Sequence, residues 1–208
     1  MIKKLLDKII SSDEQKIVLV DPSVLTGGSP EPDLRIIGMF CDVHEEKVAE
    51  VIHAMLYLNE MNRIQKKPED KRPIEFYLST YGGSADDMFA LYDIMRSIRQ
   101  ETEIHTLGLG KVMSAGVLLL AAGTKGKRRI AKNCRVMIHS VAAGNHGNLQ
   151  DLTNELGAIQ DLQDMYTNCL VAETDMTEGD IKDMLNRNVN VYLSAVEAVK
   201  LGIADIIV

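Results

Sequence analysis

The chain has 208 residues, 46% of them hydrophobic, and 30 Asp and Glu against 23 Lys and Arg give it a net charge of −7. That length supports one full core but not two, and the acidic balance offers no basic stripe for nucleic acid or an anionic membrane. The longest apolar run, 117–122, falls far short of the roughly 18 residues that cross a bilayer.

The first ten residues, MIKKLLDKII, give way to a polar stretch without a small-residue cleavage site and read as a short amphipathic helix rather than a secretory signal. IVLV at 17–20 reads as a strand and TGGSPEPD at 26–33 as a turn, so residues 1–34 form an accessory or mobile segment. From Arg35 the pattern becomes regular. RIIGMF (35–40) reads as a strand, and Val48, Val51, Ile52, Met55, Leu56 and Asn59 then follow helical spacing. A second strand covers 74–79, followed by a helix with Met88, Leu91, Tyr92, Met95 and Ile98 on one stripe. The third strand, 103–109, leads to a helix from Ser114 to about Ala122. Repeated strand and helix units of this length imply parallel strands joined by right-handed crossovers, hence an α/β fold.

Lys125, Lys127, Arg128 and Arg129 form the densest basic cluster and read as a solvated turn. RVMIHS (135–140) is a further strand, and a glycine-containing loop then precedes a long helix over 149–173 with an apolar residue every three or four positions. Ser194 stands three residues before Glu197, the pattern of a capping box, and Gly202 after Leu201 stops that short helix before a last strand in IADIIV. Cys41, Cys134 and Cys169 are odd in number and lack C-x-x-C spacing, which argues against disulfides or zinc. Each sits among apolar neighbours as a buried thiol would, and a reducing cytoplasm is the expected location.

In α/β folds the chemistry gathers beyond the carboxyl ends of the strands. Three such places stand out: TYGGSADD after the second strand, GLGKVMSAG after the third, and His139 at the end of the strand at 135–138. Gly82 and Gly83 allow close backbone approach and can aim N–H groups at an oxygen. Ser114 opens a helix, where free N–H groups and a partial positive charge suit an oxyanion. Taken singly, these features read as a plain turn, an N-cap and a satisfied core histidine.

Together they carry more. LSTYGGSADDMFALYDIM, GKVMSAGVLLLAAGTKGKRRI, NCRVMIHS and YLSAVEAVKLGIADII, in that order, resemble the proteolytic subunit of the Clp protease family over residues 35–208. The resemblance implies a crotonase-like spiral of strand and helix units with a protruding long helix, the handle. It implies Ser114 as nucleophile, His139 as general base, and the N–H groups of Gly83 and Ala115 as the oxyanion hole. It also implies seven-membered rings, singly or stacked in two, that degrade unfolded polypeptide fed by an AAA+ unfoldase. That partner uses the ATP, and this chain needs no metal or cofactor of its own.

Departures from the family pattern are equally specific. The position of the family's triad aspartate is Asn190 here, which can orient an imidazole but brings no full negative charge, so weak or conditional activity is expected. NRNVNV at 186–191 replaces a charged segment that links rings, and Val189 and Val191 form no ion pairs, which favours a single ring or one completed by another paralogue. Thr80 and Tyr81 stand where the family has Ser-Pro. Residues 1–34 differ from the family's short pore segment and read as a propeptide, a pore loop or a docking element, with 35–208 as the single peptidase domain. His44, His53, His105 and His146 read as solvated or structural, with His146 close to the start of the handle. Two alternatives remain open: a silent subunit of a mixed ring, and a crotonase-like acyl-CoA enzyme or membrane-linked signal-peptide peptidase of related fold.

Overall fold

The computed structural model describes residues 34–144, 146–187 and 189–208. The readings of a helix at 1–10, a strand at 17–20 and a turn at 26–33 lie outside them, as does the segment read as accessory except for Leu34. Arg35–Val208 cluster as one compact unit.

The chain alternates strand and helix as its periodicity predicts. Strand β1 (Ile36–Met39) is followed by α1 (Glu45–Arg63), β2 (Ile74–Thr80) by α2 (Ala85–Ile98), and β3 (Ile104–Met113) by α3 (Ala115–Ala121). Strands β1, β2 and β3 pair in parallel in that order. Along β2 every second residue is buried: Ile74, Phe76, Leu78 and Thr80 face the helices, while Glu75, Tyr77 and Ser79 stay half-exposed on the other side. The predicted stripe of α2 is wholly buried, whereas on α1 Leu56 is exposed and Leu58 is buried in its place. Helix α3 is apolar all round and buried throughout, as a helix enclosed on every side must be.

Two departures from a simple parallel sheet shape the region around Ser114. The first is a fork in β3. Its early part pairs with β4 (Arg129–Ile130) and its late part, Lys111–Met113, with β5 (Arg135–Ile138). Between them the register against β2 slips from Leu78↔Gly108 to Thr80↔Val112, with Gly110 at φ 64°. The extra residues in β3 form a bulge, which bends a strand and re-aims the residues beyond it. The second is the antiparallel strand β6 (Val191–Leu193), which pairs with β5 and so departs from the all-parallel expectation. The last strand, β7 (Ile206–Ile207), lies parallel to β4 and is shorter than the IADIIV run predicts.

The long helix α4 (Leu149–Glu173) occupies the predicted span and begins with a capping box between Asn148 and Asp151. Only its second half reaches the core, through Tyr166 and Leu170; Leu149 is 82% exposed and Leu156 68% exposed. A helix that the periodicity does not mark, α5 (Glu178–Leu185), also starts with a capping box, Thr177 with Asp180. The sequence carries that signal in T-E-G-D. Helix α6 (Ala195–Lys200) has the predicted Ser194 and Glu197 box, and Gly202 at φ 71° ends it as predicted.

The basic turn corrects its sequence reading. Lys125 and Lys127 are exposed, but Arg128 is 2% exposed and Arg129 is half-buried. Arg128 pairs with Asp205 at 2.5 Å and donates to the carbonyl of Glu173 at 2.6 Å, while Arg129 pairs with Glu75. A guanidinium carries enough donors to hold two elements together at once. The cysteines also differ from one another. Cys134 is buried, and burial pushes its thiol up to about 11, so it stays protonated; Cys41 and Cys169 are only half-buried.

Candidate active site

Parallel neighbours β3 and β5 end at the same level, with Met113 beside Met137. The residues just past those ends are therefore neighbours: Ser114 N donates to the carbonyl of Met137 at 2.8 Å. Ser114 Oγ and His139 Nε2 lie 2.9 Å apart, although 25 positions separate the residues in the chain. The N-cap reading of Ser114 is set aside by its geometry. Its hydroxyl makes no cap bond, and its backbone sits at φ 53°, ψ −123°. A non-glycine residue occupies that region only where its surroundings force it, here by the bulge behind it and the buried helix ahead.

The glycine pair closes against this corner. Gly82 adopts φ 103°, and a Cβ placed on it would stand 2.6 Å from Ser114 Cβ, so only glycine lets the two segments meet. Gly83, at φ 148°, bridges in parallel to Val43: Val43 N donates to Gly82 O at 2.7 Å and Ser84 N to Val43 O at 2.9 Å. In such a bridge the flanking residues make the bonds, leaving the N–H of Gly83 facing the opposite side. Among the described residues it meets no acceptor, and neither does the N–H of Ala115 in the first turn of α3.

A cavity of about 360 Å³ opens beside Ser114, His139, Gly83 and Ala115. Met88, Phe89, Ile159 and Leu162 give it apolar walls, and Asp86 and Glu155 also line it. Asn190 lies at the end of the β5 and β6 ladder, which stops at the Ile138↔Val191 pair, so it and His139 are the next residues of the two strands. It is exposed, and among the described residues no hydrogen bond joins it to His139. The other histidines sit elsewhere. His44 bonds to Glu46, His105 lies between Glu75 and Glu103, and His53 and His146 are exposed.

Two contacts from α4 had no sequence signal. Tyr166 Oη donates to the carbonyl of Ser114 at 3.1 Å, and Gln163 Oε1 accepts from Val141 N at 3.2 Å. Periodicity marks Tyr166 only as a core position.

An imidazole that can take a hydroxyl proton, with unpaired amides able to meet an oxygen as it gains charge, suits acyl transfer. That is the chemistry of a serine hydrolase. A family model described as Clp protease matches residues 32–208. The ATP-dependent Clp protease proteolytic subunit of Deinococcus radiodurans is 32% identical over 171 residues, covering 82% of this chain and 78% of that protein. Proteolytic subunit 1 of Prochlorococcus marinus is 30% identical over 173 residues, with 83% of each chain covered. Subunit 1 of Corynebacterium glutamicum is 31% identical over 172 residues, covering 82% of this chain and 77% of that one. The chain belongs to the Clp protease family and is a peptidase of that kind. Among the described residues, no helix is long and apolar enough to cross a membrane.

Proposed function

We propose that this chain is a serine endopeptidase subunit that cuts unfolded polypeptide inside an oligomeric chamber, with Ser114 as nucleophile and His139 as general base. The observation that carries the proposal is the 2.9 Å contact between Ser114 Oγ and His139 Nε2. As Oγ attacks the scissile carbonyl, its proton passes to Nε2, and the carbonyl oxygen gains its charge between the N–H groups of Gly83 and Ala115. The imidazolium then protonates the leaving amine, and water, activated by the same imidazole, releases the acyl group. The apolar walls of the cavity receive the side chain before the cut bond. Every step is a proton or acyl transfer between groups of this chain, substrate and water, so the scheme calls for no metal.

A fluorophosphonate should label Ser114 and no other serine, and Ser114→Ala should abolish both labelling and peptide hydrolysis. Labelling elsewhere, or hydrolysis surviving in Ser114→Ala, refutes the assignment. One observation favours a second reading, a weak or silent subunit of a mixed ring: Asn190 makes no bond to His139. Under that reading purified protein leaves Ser114 unlabelled until a paralogue is added.

Self-association into a seven-membered ring, single or stacked, is supported by exposed apolar surface on α4, where Leu149, Leu152 and Leu156 face outward, and by exposed Phe40 and Tyr57. Sedimentation should give a multi-subunit particle, and a monomer at assay concentration counts against the chamber. An AAA+ unfoldase that hydrolyses ATP would thread large substrates into it, and the cytoplasm is the compartment that fits three free cysteines.

A further inference from the structure

The long helix α4 reaches back to the reacting corner through two polar side chains one turn apart, Gln163 and Tyr166, which residues at i and i+3 place on one face. Tyr166 is only 5% exposed, and its Oη donates to the carbonyl oxygen of Ser114 at 3.1 Å. That oxygen also accepts from Val117 N at 2.9 Å, so both of its lone pairs are engaged. The carbonyl of Ser114 and the N–H of Ala115 belong to the same planar trans peptide. Fixing the direction of the first therefore fixes the direction of the second, which points the opposite way. A hydrogen bond to an amide oxygen also polarises that amide, making its N–H the stronger donor. Burial pushes the Tyr166 phenol well above its ordinary value, so it remains an O–H donor through the neutral range. Gln163 meanwhile accepts from Val141 N at 3.2 Å, two residues beyond His139.

We infer that Tyr166 is a positioning residue for catalysis: through the Ser114 carbonyl it aims the Ala115 N–H at the developing oxyanion, while Gln163 holds the segment just after His139. This inference rests on the serine peptidase reading of the same site. It assigns to α4 a part in the chemistry besides any part in assembly.

The test is Tyr166→Phe, which keeps the ring that walls the cavity and removes only the hydroxyl. With a short fluorogenic peptide carrying an apolar residue before the cut, kcat should fall by about 10- to 100-fold. That is less than the roughly 10²- to 10³-fold loss when an oxyanion donor is deleted outright. KM should stay within about twofold, because substrate side-chain binding is untouched and only a transition-state contact is lost. Fluorophosphonate labelling of Ser114 should slow in parallel, with melting temperature and sedimentation like the parent. Gln163→Leu, measured in the same way, should lower kcat by several-fold and serves if Tyr166→Phe fails to assemble. Unchanged kcat and labelling in assembled Tyr166→Phe overturn the inference. So does a loss that appears in KM, or only in proportion to lost assembly, because a purely structural tyrosine predicts that pattern. Retained activity in Ser114→Ala would instead overturn the peptidase reading itself, so the two failures are distinguishable.

Discussion

Holding a serine at φ 53° costs about 1–3 kcal/mol, and at Ser114 the surroundings leave no alternative: its N–H is bound to Met137, its carbonyl to Val117 and Tyr166, and Gly82 is pressed against its Cβ. The result is a hydroxyl presented outward to His139 instead of folded back onto its own helix. For that hydroxyl to donate its proton, Nε2 must be the bare nitrogen, which puts the ring's own proton on Nδ1. The orienting partner for Nδ1 is therefore the weak point of the site. Asn190 stands at the right end of the right strand but is exposed and unbonded to the ring. A carboxylate there would attract the Nδ1 proton and stabilise the imidazolium. Asn190→Asp should raise peptide hydrolysis by about 10-fold or more, within the roughly 10⁴ lost when the aspartate of a Ser-His-Asp triad is replaced by asparagine. Unchanged or lower kcat in an assembled variant would refute that account of the asparagine.

Among the elements, the short strands β4 and β7 depend on an ion pair more than on their own length. Each has two residues in its ladder, and Arg128 clamps the pair through Asp205 by Nε, Nη2 and its backbone N–H. Burial pushes the Asp205 carboxyl up, but the hydrogen bonds and charge of Arg128 together outweigh it and leave a net lowering below the usual 3.8. A carboxyl lowered on folding adds stability that is fully present above its unfolded value and is lost as pH falls through the folded one. Asp205→Asn should therefore melt below the parent at neutral pH, and the gap should close below about pH 4. A gap that stays constant down to about pH 3 would show that packing, not charge, ties β7 to β4.

For the molecule as a whole, Glu173 at the end of α4 is the point where several elements meet. Its side chain is 1% exposed and takes a two-pronged bond from Arg99 at 2.7 and 2.8 Å and one from Tyr92 at 3.0 Å. Its backbone carbonyl receives Lys125 and Arg128, and Arg99 also reaches the carbonyl of Ala122 beyond α3. Breaking one side of a buried pair strands the other charge, so Glu173→Gln should cost roughly 3 kcal/mol in chemical unfolding, the low end for such pairs because Arg99 keeps some water. A loss below about 1 kcal/mol, the range of surface pairs, would refute the hub.

Elements long enough to show a period declared themselves in the sequence: β2 by alternation, α2 and α4 by their stripes, α6 by its cap and its glycine stop. Ser114, His139 and the glycine pair were legible as residues placed after strands, and family resemblance linked them. The bulge that forks β3, the antiparallel turn of β6, the burial of Arg128 and the hydroxyl of Tyr166 on the Ser114 carbonyl were not legible. A sequence sets local preference through neighbours three or four residues away, whereas these features depend on segments far apart in the chain, as Tyr166 is 52 positions from Ser114 and Asp205 is 77 from Arg128. Only the packed sheet and helices decide which of them touch.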